Sequence, residues 1–399
     1  MNKILHSPLA AILCGGLIVG LALGIRHVQG LFMLPMIGTR GWSREAFALA
    51  IALQNLVWGL AQPVTGMIAD RWGARKVLVC GCLLYALGLY LMAQSVTAMQ
   101  LALSAGLLVG LALSGTTFGV VYGAISRIVS PQRRSWALGM AGAIGGIGQF
   151  AMVPATQQLI GGLGWITALM AFALVLAFAL PLAWPLDDRH AQMPERQAQS
   201  MRSAIREALS HRGFWLLNLG FLACGFQLAF LAGHFPAFLM DRGFPPRTAV
   251  VALAIIALAN VAGSYLCGQL GGLYRRKHLL AYLYIVRSGA MLAFALLPVS
   301  AASVYVFSFV MGLTWLGTVP LTTGLVSQVF GVQYLATLFG FVFVGHQLGG
   351  FLGMWLGGVV FDATRSYDAM WLLSVLIGLA AAALHWPIDD RAVARLRAA

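Results

Sequence analysis

The chain has 399 residues, of which 60% are apolar and 9% charged, and its formal net charge is +14. A soluble domain carries roughly a quarter charged residues, so no water-facing surface can be made from this composition. The chain is an integral membrane protein, and its positive charge is a signal of topology and of attraction to anionic lipid rather than of nucleic-acid binding.

Apolar stretches long enough to cross the hydrocarbon core as helices recur along the whole length. In the first half they predict spans at 9–37, 46–69, 77–94, 99–126, 136–160 and 165–185. In the second half they fall at 214–240, 248–273, 279–298, 303–330, 335–361 and 370–387. The first run is too long for a cleaved signal peptide and lacks a small-x-small cleavage pattern, so it reads as a retained helix. With both termini inside, 18 of the 25 Lys and Arg, from Lys3 to Arg397, fall in inner segments, 5 fall in outer turns, and Arg26 and Arg287 lie within spans. That asymmetry sets the orientation. The expected setting is a bacterial-type inner membrane, crossed many times by a monomer. All five cysteines (Cys14, Cys80, Cys82, Cys224, Cys267) fall inside spans and read as small apolar residues.

The longest polar segment, 187–212, divides the chain into a first bundle at 1–186 and a second at 213–399. Its later part, 201–210, has basic residues at helical spacing and reads as a linker helix on the membrane surface. The two bundles superpose in sequence at an offset of about 202: Arg40-Gly41 falls on Arg242-Gly243, and Gly66 on Gly268. Arg75-Lys76 falls on Arg276-Lys277, and Gly139 on Gly340. The fold class is therefore all-α membrane protein, with twelve helices in two pseudo-symmetric six-helix bundles. Parallel repeats of this kind belong to transporters that rock two bundles about a site. The glycine-rich stretches of the fifth and eleventh spans read as seams of close helix approach, and Pro35, Pro63, Pro154, Pro236 and Pro320 as interruptions suited to gating.

The loop Gly66-Met-Ile-Ala-Asp-Arg-Trp-Gly-Ala-Arg-Lys76, between the second and third spans, resembles the signature loop of the major facilitator superfamily. The resemblance extends over the whole chain through helix number, repeat and hinge. It implies gating roles for Gly66, Asp70, Arg71, Gly73 and Arg75. The eleventh span starts on the same side as Asp70, and a carboxylate is favoured at a helix N-terminus. The second-half copy, Gly268 to Lys277, lacks the acid, so such a latch is one-sided. Gly24-Ile-Arg-His-Val-Gln-Gly-Leu-Phe-Met-Leu-Pro35 resembles the opening helix of bacterial monocarboxylate-transporter-like proteins. Gly357-Gly-Val-Val-Phe-Asp362, followed by Tyr367-Asp-Ala-Met-Trp371, is similar to the end of the eleventh helix in those proteins and in oxalate/formate antiporters. His346 falls near the intramembrane lysine of the antiporters. In the eighth span, where these relatives place an arginine, this chain has Asn260 and Ser264.

None of the eleven acids falls mid-membrane, whereas Arg26, His27, His234, Arg287 and His346 do. A charge at that depth costs several kcal/mol unless paired or wetted, and arginine cannot shed its proton. The counter-charge expected for Arg26 is an anionic substrate, met bidentately as a small carboxylate. Candidate substrate contacts are Arg26, His27, Asn55, Tyr122, Gln149, His234, Asn260, His346 and Gln347. His27 and His346 are the groups able to switch charge near neutral pH, which points to proton symport. Arg287 reads either as a structural pairing or as a charge snorkelling toward the inside. No cofactor and no metal site is expected, and no nucleophile–base pair or phosphate loop suggests an enzyme. The expected partners are a small carboxylate, a proton and membrane lipid. The alternatives are efflux of a larger amphipathic compound, or exchange of organic anions.

Overall fold

The computed structural model describes residues 7–42, 44–188 and 199–397. Lys3, Arg189, Glu195 and Arg196, counted above in the charge pattern, lie outside the described residues.

The first half begins with α1 (Pro8–His27), α2 (Met33–Arg40), α3 (Arg44–Trp72) and α4 (Ala74–Gln94). Ser7 caps α1 by accepting from the Ala10 N–H at 3.1 Å, with Pro8 in the first turn, where its missing N–H is of no consequence. Gly73, at φ +92°, permits the tight turn into α4 that a Cβ would strain. A π-helical stretch, Ala102–Leu108, leads into α5 (Val109–Thr116) and α6 (Phe118–Ile128). The long helix α7 (Arg134–Phe178) breaks at Gly164, at φ +80°. Beyond the linker helix α8 (Met201–Ser210) come α9 (Arg212–Asp241), α10 (Pro246–Leu273), α11 (Arg276–Leu296), α12 (Ala301–Thr314) and α13 (Thr318–Phe330). The chain closes with α14 (Leu335–Thr364), α15 (Asp368–His385) and the short α16 (Ala394–Arg397).

Among the described residues, ten stretches are long and apolar enough to cross a membrane, and one of them, Pro131–Leu186, holds two passes joined at the Gly164 kink. The 29-residue α3 is also long enough, but Gln54, Asn55 and Gln62 make it more polar. Large apolar side chains such as Leu60, Phe178, Leu273, Leu296 and Val306 are more than half exposed, as a surface solvated by lipid requires.

Of the five candidate prolines, Pro35 lies in the first turn of α2, just past the interruption of the first pass, and Pro236 lies within the span of α9, while the others do not end a helix. Pro63 lies inside α3, Pro154 inside α7, and Pro320 in the first turn of α13, where it leaves no bond unmade. Among the described residues the first pass is interrupted at Val28–Phe32, between α1 and α2, and the fourth pass of each half is broken, at Thr117 and at Trp315–Gly317. Threonine hydroxyls take the carbonyls there. Thr116 and Thr117 donate to Ala112 and Leu113 oxygens, and Thr314 to those of Val310 and Met311. Such side-chain bonds compete with the helix ladder and bend it.

Packing divides the chain into two units. The first comprises Met1–Pro131, Ile144–Pro194 and Val332–Gly340; the second comprises Gln132–Ala143, Glu195–Gly331 and Phe341–Ala399. These units depart from the sequence division at 1–186 and 213–399, because glycines draw short segments across it. Within the second unit, a Cβ on Gly139 would fall 2.5 Å from the Gly268 Cα. Within the first, a Cβ on Gly66 would fall 2.4 Å from the Ala336 oxygen.

Candidate functional site

In the first unit, Arg26 sits in the last turn of α1 and reaches α3. Its Nη2 donates to Asn55 Oδ1, and its guanidinium carbon lies 5.2 Å from the centre of the Trp58 ring. Trp58 Nε1 donates to Gln62 Oε1 at 3.0 Å, and Gln62 Nε2 to the Ser114 oxygen at 2.9 Å, so the supporting residues are themselves anchored. Tyr85 of α4 donates to the Ala22 oxygen at 3.0 Å and lies within the field of Arg26. These partners are neutral, and Arg26 Nε has no hydrogen bond. The Gln29 side chain is 2% exposed and neither of its polar atoms is bonded.

Of the other sequence candidates in this unit, His27 is half-buried and Gln149 is buried beside Gly148, which packs on Gly20 of α1. Tyr122 is fully buried, its hydroxyl unbonded and its ring 5.2 Å from that of Phe118. Among the described residues, only Asn55 of this set bonds Arg26. Trp58, Tyr85 and Gln62 were not legible as site residues, since aromatic and amide side chains in an apolar span usually pack or bond between helices.

In the second unit, His346 of α14 stacks on Phe343, with ring centres 5.1 Å apart, and its Nδ1 lies 3.2 Å from Gln347 Oε1. The Nε2 atoms of both residues carry no hydrogen bond. His234 has both nitrogens engaged: Nδ1 with the Tyr367 hydroxyl at 3.2 Å and Nε2 with the Met354 oxygen at 2.9 Å. It packs inside an aromatic cluster with Phe230 and Tyr367. Asn260 Oδ1 accepts from the Leu316 N–H at 3.0 Å and from Ser264 at 3.2 Å.

Arg287 is fully buried and does not snorkel. Its Nη2 donates to the oxygens of Thr314 and Trp315, and its Nη1 to Gln227 Oε1 at 3.3 Å and Cys224 Sγ at 3.6 Å. It therefore satisfies the carbonyls released where α12 stops. An apolar groove of about 340 Å³ on α11 and α12, lined by Val286, Phe294, Leu297 and Val306 with Ser303, offers no charged group for an anion.

The signature loop is organised around Arg127, within the first unit. Asp70 Oδ1 accepts from Arg127 at 2.5 Å, while Oδ2 accepts from the Thr337 N–H and hydroxyl, both at 2.7 Å, at the start of α14. Arg127 Nε donates to Asp188 at 2.7 Å, and Asp188 caps α4 through the Ala74 N–H at 3.0 Å. Arg75 pairs with Asp187 at 2.9 Å. Burial pushes the Asp70 carboxyl upward, while Arg127 and Thr337 hold it down; the net direction is up. Arg71 stays apart, its guanidinium 5.4 Å from the Trp72 ring. The sequence counted Arg127 as one more inner basic residue. The Asp187-Asp188 pair on the same side was the signal available for its partner.

The family model described as Major Facilitator Superfamily matches residues 12–354. The chain is 29% identical over 343 residues to "Monocarboxylate transporter 11" of Homo sapiens, covering 82% of this chain and 70% of the relative. It is 23% identical to the "Uncharacterized MFS-type transporter YcxA" of Bacillus subtilis, covering 91% of each. Among solved structures it superposes on the fucose:proton symporter FucP of E. coli with a TM-score of 0.72 at 14% identity, over 94% of this chain and 97% of that one. On the proton:xylose symporter XylE the TM-score is 0.71 at 13% identity, over 98% of each chain. These likenesses are to membrane transporters rather than enzymes, and the chain belongs to the Major Facilitator Superfamily.

Proposed function

We propose that this transporter moves a small organic anion of the monocarboxylate kind together with a proton, by alternating access. The observation that carries the reading is Arg26: a permanent cation within a span whose described partners, Asn55, Trp58 and Tyr85, are neutral and which keeps its Nε free. A charge there needs a partner, and a substrate carboxylate supplies it with the strong bidentate geometry. The relatives named monocarboxylate transporters support that choice of anion. Asn55 and Trp58 orient the guanidinium, while Tyr122, Gln149 and Gln347 are further polar contacts. His27 and His346 are the proton candidates. His234 is better read as structural, because both its nitrogens are engaged inside the second unit. Asn260 holds the Leu316 N–H through Oδ1 while its buried Nδ2 carries no hydrogen bond, and it stays a candidate contact.

The same reading gives Asp70 a gating role, with Gly66, Gly73 and Arg75 shaping the loop and Arg71 outside the network. For the end bearing Asp70 to open, the bonds from Thr337 must break and reform. Both termini face the cytoplasm across a bacterial-type plasma membrane.

Uptake of labelled lactate into proteoliposomes tests the reading. Arg26→Ala should lower uptake about a hundredfold, equivalent to roughly 3 kcal/mol for a buried charge pair. Full uptake by that variant would overturn the anion site. Uptake indifferent to an imposed pH gradient would overturn symport in favour of exchange or efflux.

A further inference from the structure

The break between α12 and α13 is closed by two side chains of opposite character. On one side Arg287 of α11 donates to the last carbonyls of α12, at Thr314 and Trp315. On the other, Cys224 of α9 meets Thr318, the first residue of α13, with Sγ 3.2 Å from Oγ1. Arg287 and Cys224 also meet one another, Nη1 to Sγ at 3.6 Å, and both are fully buried.

The charges do not balance if Cys224 is neutral. The C-terminus of α12 presents about half an elementary charge to Arg287, and Gln227 adds only a neutral carbonyl. The thiol lies beside a guanidinium and at the N-terminus of a 13-residue helix, and both favour a thiolate against the desolvation that its burial imposes. The other groups set against it are the Tyr284 hydroxyl of α11 and the His346 ring of α14. Cys267 of α10 lies within the field of Arg287, and His385 of α15 stacks on Tyr284 at 5.1 Å. No carboxylate is among them. His346 is half-buried, whereas Cys224 is sealed.

We propose that Cys224 is the proton-exchanging group of the second unit: its thiolate is the counter-ion of Arg287 across the broken helix, and His346 passes protons to and from it. This rests on the proton-coupled reading above. In the loading step, protonated His346 gives up its N–H proton as the S–H bond forms at Cys224, leaving a neutral ring, a neutral thiol and an uncompensated Arg287. Release is the reverse. The guanidinium that loses its partner then pulls harder on the α12 carbonyls, so proton occupancy is read directly by the break.

The test is spectroscopic and needs no transport. Detergent-purified full-length protein at neutral pH, minus its Cys224→Ser variant, should leave one thiolate absorption in the ultraviolet and no infrared S–H band. Acid should exchange the first for the second, and Arg287→Gln should show the S–H band already at neutral pH. An S–H band from Cys224 in the wild type at neutral pH overturns the proposal, whether or not Arg287→Gln folds. In proteoliposomes, the ratio of proton-driven uptake to substrate counterflow should fall at least about tenfold in Cys224→Ser, within the usual range for two coupled sites. An unchanged ratio also overturns it. Wild-type uptake blind to pH would instead sink the symport reading, while the spectra still decide the ion pair.

Discussion

Arg127 holds two carboxylates at once, Asp70 on one side and Asp188 on the other, and each acid also accepts from backbone N–H groups. The Asp70 side chain is fully buried and that of Arg127 is 6% exposed, so this is an ion pair whose rupture leaves a charge with nowhere to go. Asp70→Asn should destabilise the protein by roughly 3–5 kcal/mol, the usual cost of breaking a buried pair, seen as a lower melting temperature in scanning fluorimetry. Gly66 is exacting for a different reason. A Cβ there meets the Ala336 carbonyl, which is backbone and cannot rotate away. Gly66→Ala should cost about 1–3 kcal/mol by overpacking, by the same measurement. Both positions were legible because the loop motif has fixed spacing. Arg127 was not, since nothing local in sequence distinguishes it from the basic residues that only set topology.

At the scale of the element, the broken fourth pass of each half is the feature that charge and proline patterns did not reveal. The breaks follow hydroxyls: Thr116 and Thr117 in one half, Thr314 in the other. A broken helix leaves orphan N–H and C=O groups. In the second unit, Asn260 takes the Leu316 N–H while Arg287 takes the carbonyls. Asn260→Leu should therefore cost about 1–3 kcal/mol, the price of an unsatisfied buried donor, and should raise amide hydrogen exchange at residues 316–318 above that of α10. Unchanged exchange would show that another group takes the bond. Asn260, which stands where the resemblance implied an arginine, gains a physical meaning here, because its Oδ1 is occupied with the Leu316 N–H.

For the whole molecule, the C-terminal segment of the second unit is tied down by polar contacts. Lys277 donates to the Ile388 oxygen at 2.6 Å, Gln328 to the Asp390 oxygen at 2.8 Å, and the Val393 N–H to Val329 at 3.0 Å. Asp390 binds Arg275 through both carboxylate oxygens. The hydrogen bonds from Arg275 hold the Asp390 carboxyl below the ordinary carboxylate range. A depressed acid contributes stability that is complete above its unfolded value and is lost as pH falls through the folded one. The melting temperature should thus be insensitive to this pair at neutral pH and should drop below about pH 4. Asp390→Asn should remove that part of the acid-side loss; an identical acid profile would exonerate the pair.

Composition, hydropathy and the offset repeat determined by themselves that this is a twelve-helix membrane transporter, because bilayer thickness and the cost of exposed backbone leave few solutions for such a chain. The loop motif likewise singled out Asp70 and Gly66, which the structure places against Thr337 and Ala336. Tertiary structure alone decided what the remaining charges do. Arg26 and Arg287 look alike in sequence, each a lone cation in an apolar span. Only packing puts one against Asn55 and Trp58, and the other across a helix break beside Cys224. The difference lies in partners that are distant in sequence, and burial makes those partners decisive for a charge.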